Sequence, residues 1–327
     1  MQQTDLITEE QFSRRFYKEV LPYLAERRTE GYFAAEENVS LWYEHYDTEV
    51  RPVRGTVVMV HGYIETLPKY YENVWYFLQN GYHVRQLQLR GHGRSTRHVK
   101  DPYLLHITDY RFFLRDIDRY IHRLVLKQKT DDAPLYYYGH SMGGALGGLY
   151  LALRPGVFPK AVLSSPMMEI KRGKLRVKIE APLVHAASHT PLKDHYAPGM
   201  RRYDGKWTFE HSHTATKARW DYIADYIDRD EAYQTWGASW QTVRELFTIT
   251  QVVRNPDICN RIRAKVLVFS ASDDGLVERG GQLQFVSNVR SARLVDVPGT
   301  KHEIFTGSDE ALRMYWDEIF SFLQSEE

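Results

Sequence analysis

The chain has 327 residues, 43 % of them hydrophobic, which suits one large globular domain or two modest ones. Its 43 basic and 42 acidic side chains leave a formal net charge of +1, which excludes the strong basic excess of a general nucleic-acid binder. The one cysteine, Cys259, rules out an internal disulfide, and no apolar run approaches the roughly 18 residues of a transmembrane segment.

The opening, MQQTDLITEEQFSRRFYKEV, lacks the apolar centre of a signal peptide, so a cytoplasmic protein is expected. Thr8 and Gln11 have capping-box spacing, and Phe12, Phe16, Val20 and Leu24 then repeat along one helical face. Pro22 should kink or end that helix. The apolar face is expected to pack on the rest of the molecule, with a lipid surface as the alternative. Residues 38–46, NVSLWYEHY, read as a strand, and 55–60, GTVVMV, as a short buried one. Pro68 opens a helix, PKYYENVWYFLQN, which Gly81 caps. YHVRQLQL, 82–89, alternates like a strand. ITDYRFFLRDIDRYIHRLVL carries apolar residues at 110, 113, 114, 117, 121, 124 and 125, a helical period. PLYYYG (134–139) is the next strand, MGGALGGLYLALR the next helix and KAVLSS (160–165) a further strand.

Strands alternating with helices imply an α/β fold, a mostly parallel sheet covered on both faces. The rhythm stops over 166–262. That stretch holds four of the seven tryptophans (Trp207, Trp220, Trp236, Trp240) and five of the fourteen histidines. A structureless loop of that length is rare in a compact domain, so an inserted, mainly helical lid on the carboxyl edge of the sheet is expected. The rhythm resumes with KVLVFS (265–270), a helical RGGQLQFVSNV, the strand ARLVDV and a last helix after Ser308. Residues 1–165 and 263–327 are therefore assigned to the core and 166–262 to the lid.

Between the strand at 134–139 and the next helix stands Gly139-His140-Ser141-Met142-Gly143, a G-x-S-x-G pattern of the kind that forms the nucleophile elbow of α/β-hydrolases. A strand must reverse into a helix there within a few residues, and side chains two before and two after the serine would collide; hence Gly139 and Gly143. Gly144, Gly147 and Gly148 let the helix lie close to the sheet, at a cost in helix propensity of about 1 kcal/mol each. A serine hydroxyl is a weak nucleophile at neutral pH and needs a base, an acid to orient that base and donors for the oxyanion. The loop after the strand at 265–270 offers Asp273 and Asp274; Asp274 is preferred, because Leu276 and Val277 can anchor its loop. Of all the histidines only His302 lies in the loop after the last strand. The oxyanion donors are expected to be the backbone N–H groups of Met142 and of Tyr63, in a loop where Gly62 lets the backbone come close. His61 is read as a buried structural histidine, and Glu65 as a hydrogen-bonding tie within that loop.

KRGKLRVK, 171–178, has five basic residues in eight. It reads as a solvated lid face, with an anionic headgroup or membrane surface as the alternative. His185 with His189 and His211 with His213 have ligand-like spacings, but no third ligand is evident and no metal is expected. RGHGRS is glycine-rich without the G-x-G-x-x-G pattern of a nucleotide site.

The motifs HGYIE, LRGHGRS (89–95), GHSMGG, SASDDGLV and GTKHE stand in the order seen in the lysophospholipase and monoacylglycerol lipase branch of the α/β-hydrolases, which the chain resembles from about residue 38 to its end. RGHGRSTRHVKDPYLLH and KHEIF look most like bacterial lysophospholipases. The resemblance implies an eight-stranded, mostly parallel sheet, a cap domain after the sixth strand, no cofactor, and a serine triad that falls on Ser141, Asp274 and His302. It also implies esters of single-acyl-chain lipids as substrates, with peripheral contact at the inner face of the membrane as a further expectation. A peptidase, thioesterase or acyltransferase of the same fold is the alternative. Haloalkane dehalogenases and epoxide hydrolases carry aspartate where Ser141 stands, and non-catalytic relatives usually lack a triad member.

Overall fold

The computed structural model describes residues 5–171 and 182–325. Eight strands form one sheet: β1 (Arg28–Glu36), β2 (Val39–Tyr46), β3 (Gly55–Val60), β4 (Tyr82–Leu87), β5 (Leu135–His140), β6 (Lys160–Ser164), β7 (Lys265–Ala271) and β8 (Ala292–Val297). Their spatial order is β1-β2-β4-β3-β5-β6-β7-β8. The β1–β2 and β2–β4 pairings are antiparallel, and every pairing from β4 to β8 is parallel. The central strands β3 to β6 are buried along their whole length, as expected of parallel strands covered on both faces.

One face is covered by α4 (Arg111–Tyr120), α5 (Met142–Leu153), α7 (Trp240–Val253) and α8 (Arg279–Asn288), which pack Ile117, Leu146, Ile249 and Phe285 into a single apolar cluster. The other face carries α1 (Glu9–Arg15), α2 (Leu21–Arg27), α3 (Tyr71–Gln79), α6 (Lys217–Arg229) and α9 (Asp309–Gln324), whose cluster includes Phe16, Phe77, Tyr222 and Trp316. The chain between β6 and β7 thus contributes to both layers. Its helix α7 makes the crossover that two parallel neighbours require, and lies so close to α5 that a Cβ at Gly148 would meet Val253 Cγ2 at 2.8 Å.

The N-terminal stripe packs inward. Phe12, Phe16, Val20 and Leu24 are all buried, and the Phe16 ring meets Tyr222 of α6 at 4.5 Å. Thr8 caps α1 through its Oγ1, which accepts the Gln11 N–H. Pro22 neither ends nor breaks the helix: a π turn over Phe16–Val20, closed by Leu21 N–H to Phe16 O, joins α1 to α2 and gives the proline ring room at the start of α2. A π turn, Ile121–Val125, also extends α4. β1 is absent from the sequence expectations. Only Phe33 and Ala35 of its nine residues are buried, so it has no clear alternation, and it holds its place at the sheet edge through pairing with β2.

Candidate active site

The carboxyl ends of β3, β5, β7 and β8 point to one rim, and the candidate residues stand on the loops that leave it. β5 ends at His140 and α5 begins at Met142, so Ser141 alone makes the reversal, at φ 51° and ψ −115°. Its backbone is held from both sides: its N–H donates to Ser164 O at 3.0 Å, and its carbonyl accepts the N–H groups of Ala145 and Met167. A Cβ at Gly139 would strike the Gly143 carbonyl, and one at Gly143 would strike the carbonyl oxygens of Val60 and His61. The left-handed serine is therefore forced by the packing of strand, helix and neighbouring loop.

Asp274, in the loop after β7, and His302, in the loop after β8, are both buried. His302 Nδ1 lies 2.7 Å from Asp274 Oδ2. Asp274 Oδ1 accepts the N–H groups of Leu276 (2.8 Å) and Val277 (3.0 Å), the two residues expected to anchor the loop. Burial works against ionisation of Asp274, but the hydrogen bond and charge of His302, with the two backbone N–H groups, outweigh it and hold its carboxyl below the usual range. Asp273 is exposed. With Nδ1–H donating to a carboxylate, His302 Nε2 is left as a lone-pair acceptor, and among the described residues it has no partner. The His302 ring packs on that of His140, the residue before the serine, at 4.8 Å between centroids.

The loop after β3 runs past the serine: a Cβ at Gly62 would lie 3.1 Å from Ser141 Cβ. Glu65 Oε2 accepts the Gly62 N–H at 2.6 Å and the Tyr70 hydroxyl, which is the tie expected of Glu65. His61 Nδ1–H donates to Gly62 O at 2.8 Å, and His61 Nε2 accepts the Leu89 N–H at 3.0 Å. His92 Nε2 accepts the Ile64 N–H at 3.2 Å and holds Ile64 at φ 49°, costly for a β-branched residue. The N–H groups on either side of Tyr63 are thus taken, and that of Tyr63 has no partner among the described residues. Met142, first residue of α5, has an N–H without an intrahelical acceptor. Burial holds His61 and His140 neutral, each pushed down to about 4, and drives His92 well below its ordinary value.

Two participants carry no motif of their own, Lys69 and Thr214, and a third, Glu303, closes the GTKHE stretch. Lys69 Nζ bridges Glu65 Oε1 (2.7 Å) and Glu303 Oε1 (2.5 Å), and Thr214 Oγ1 donates to Glu303 Oε2 at 2.7 Å. The four-residue spacing of Glu65 and Lys69 and the glutamate after His302 were the signals available. The basic run 171–178 lies outside the described residues, except that Lys171 Nζ donates to Asp274 O at 2.9 Å. Trp207 meets Trp236 edge to face and Trp220 at a tilt, with Tyr203 against Trp236 and Phe209 against Trp220. His185 and His189 lie ring to ring, 4.6 Å apart. Among the described residues, no three His, Cys, Asp or Glu side chains are grouped to hold a metal, and no helix is long and apolar enough to cross a membrane.

A family model described as serine aminopeptidase, S33, matches residues 51–309. The chain is 25 % identical over 324 residues to a probable lysophospholipase L2 of Haemophilus influenzae, covering 97 % of this chain and 99 % of that one. It is 26 % identical over 300 residues to a monoacylglycerol lipase of Mycolicibacterium smegmatis, covering 91 % and 98 %. Among solved structures, a soluble variant of the Saccharomyces cerevisiae monoglyceride lipase superposes with a TM-score of 0.73 at 16 % identity, over 91 % of this chain and 95 % of that one, a likeness of fold.

Proposed function

The chain belongs to the α/β-hydrolase family described as serine aminopeptidase, S33, and from that premise we propose that it is a serine hydrolase cleaving carboxylic esters of lipids with one acyl chain, a lysophospholipase or monoacylglycerol lipase. The observation that carries the reading is the buried His302–Asp274 pair, whose Nε2 has no partner among the described residues and whose ring packs on that of His140, the residue before Ser141. Ser141 Oγ attacks the ester carbonyl while His302 Nε2 takes its proton. Asp274 fixes the tautomer and stabilises the imidazolium. The N–H groups of Tyr63 and Met142 receive the oxyanion. As the tetrahedral intermediate collapses, His302 returns the proton to the departing alcohol. Water, activated by the same nitrogen, then releases the fatty acid. In this scheme the lid is the part of segment 166–262 that lies upstream of α7, its aromatic cluster a wall for the acyl chain.

The lipid substrate rests on the likeness to lysophospholipase and monoacylglycerol lipase relatives. A peptidase reading has one observation in its favour, the family's description. The test is a side-by-side panel of lysophosphatidylcholine, monoolein, a short nitrophenyl ester and an aminoacyl anilide, with fluorophosphonate labelling of wild type and Ser141→Ala. We expect labelling of wild type alone, a loss of at least about 10⁴-fold in Ser141→Ala, and both lipids turned over faster than the anilide. Faster turnover of the anilide makes the chain a peptidase, and a folded wild type that neither labels nor hydrolyses removes the catalytic reading.

A further inference from the structure

Three segments remote in the sequence meet at one buried ammonium. Lys69 stands at the end of the loop that follows β3, and its side chain is 11 % exposed. Glu65, on one side of it, closes that loop by accepting the Gly62 N–H. Glu303, on the other side, directly follows His302 and also accepts the Thr214 hydroxyl from the segment between β6 and β7. Burial opposes the ionisation of both glutamates. The ammonium between them outweighs that penalty and holds both carboxyls below their ordinary range, while the two carboxylates in turn raise Lys69. An apolar side chain of similar length would fill the same volume. What the cation alone supplies is a fixed separation between two anionic loop ends, since without it the buried carboxylates repel.

We propose that Lys69 is a positioning residue for the hydrolytic reaction, setting through Glu65 and Glu303 the separation between the oxyanion donors and the base. The inference rests on the assignment of Ser141, His302 and Asp274 as nucleophile, base and orienting acid. Lys69 itself touches no reacting atom. It acts on one side through the Gly62 N–H, next to the Tyr63 donor, and on the other through the residue bonded to His302. A misplacement of about 1 Å between such groups costs up to about 100-fold in rate.

The test compares Lys69→Met, Lys69→Arg, Glu303→Gln, the double variant Lys69→Met/Glu303→Gln and Ser141→Ala on a soluble nitrophenyl ester. The constants kcat and KM are separated, and folding is followed by near-UV circular dichroism. Lys69→Met should lower kcat by about tenfold to 100-fold with KM within about twofold. Lys69→Arg should recover most of that loss, and Glu303→Gln should cost little more once Lys69 is Met, because the ion pair is already broken. A folded Lys69→Met with wild-type kcat, or a loss confined to KM, overturns the proposal. If Lys69→Met does not fold, Glu303→Gln alone decides: about fivefold or more off kcat with KM unchanged supports the proposal, and wild-type kcat overturns it. Labelling of Ser141→Ala by fluorophosphonate is read separately. Labelling that survives sinks the nucleophile assignment, whereas labelling lost there with full kcat in Lys69→Met sinks the positioning role alone.

Discussion

Asp273 and Asp274 are adjacent in the chain and opposite in environment. Asp274 is enclosed and meets His302 with one oxygen and two backbone N–H groups with the other; Asp273 faces solvent. In Asp274→Asn the amide still accepts the two N–H groups, but its own NH₂ meets His302 Nδ1 and drives the ring into the wrong tautomer. On the nitrophenyl ester kcat should drop about 10⁴-fold, while Asp273→Asn stays within about twofold. Equal effects of the two would mean that the acid has been assigned to the wrong residue. At this scale the sequence speaks clearly where a residue's setting follows from its loop: Leu276 and Val277 anchor the loop of Asp274 as expected. It is silent where the role is a meeting. Lys69 and Glu303 are 234 positions apart, and no local pattern in either segment announces the other.

Between elements, the informative contact is that of α6 with the N-terminal helices. Arg219 of α6 is buried and bonds both oxygens of Glu72 on α3 at 2.7 Å, donates to Ile7 O at 2.9 Å and lies over the Phe12 ring. Removing one partner of a buried ion pair leaves the other charge uncompensated. Arg219→Met should therefore cost about 3–5 kcal/mol in urea unfolding. A loss below about 1 kcal/mol would show that the pair is dispensable. The helical stripe Phe12, Phe16, Val20, Leu24 could be read in advance because burial follows its period. The passage through Pro22 could not, since it depends on a wide turn that no propensity encodes. β1 escaped for a related reason: an edge strand buries little of itself and needs little alternation, so its identity lies in its partner.

For the molecule as a whole, the buried histidines set the acid limit. Burial lowers His61 and His140 to about 4 and His45 to about 3, and drives His92 well below 6.5. Below about pH 6.5 the unfolded chain therefore binds more protons than the folded one, and stability is lost progressively as pH falls toward the folded values, by roughly 3 kcal/mol each for His61 and His140 and by more for His45. Asp274, Glu65 and Glu303 act with the same sign, but only as pH drops below the ordinary carboxylate values. Lys69, raised in the fold, contributes fully below its ordinary 10.5 and loses that contribution only as pH rises beyond it. The melting temperature should thus be level from about pH 7 to 10 and begin to fall near pH 6.5; melts that stay flat down to pH 5 would contradict this. The route of the chain between β6 and β7 has a different consequence. The excursion departs from the carboxyl rim, and α7, followed by the short helix Pro256–Cys259, carries it back across the sheet to begin β7 beside β6. β6 and β7 thus stay neighbours whatever the length of chain between them, and variation in that stretch is confined to what Thr214 and α6 leave untied, since Thr214 bonds Glu303 while Arg219 and Tyr222 are built into the opposite layer.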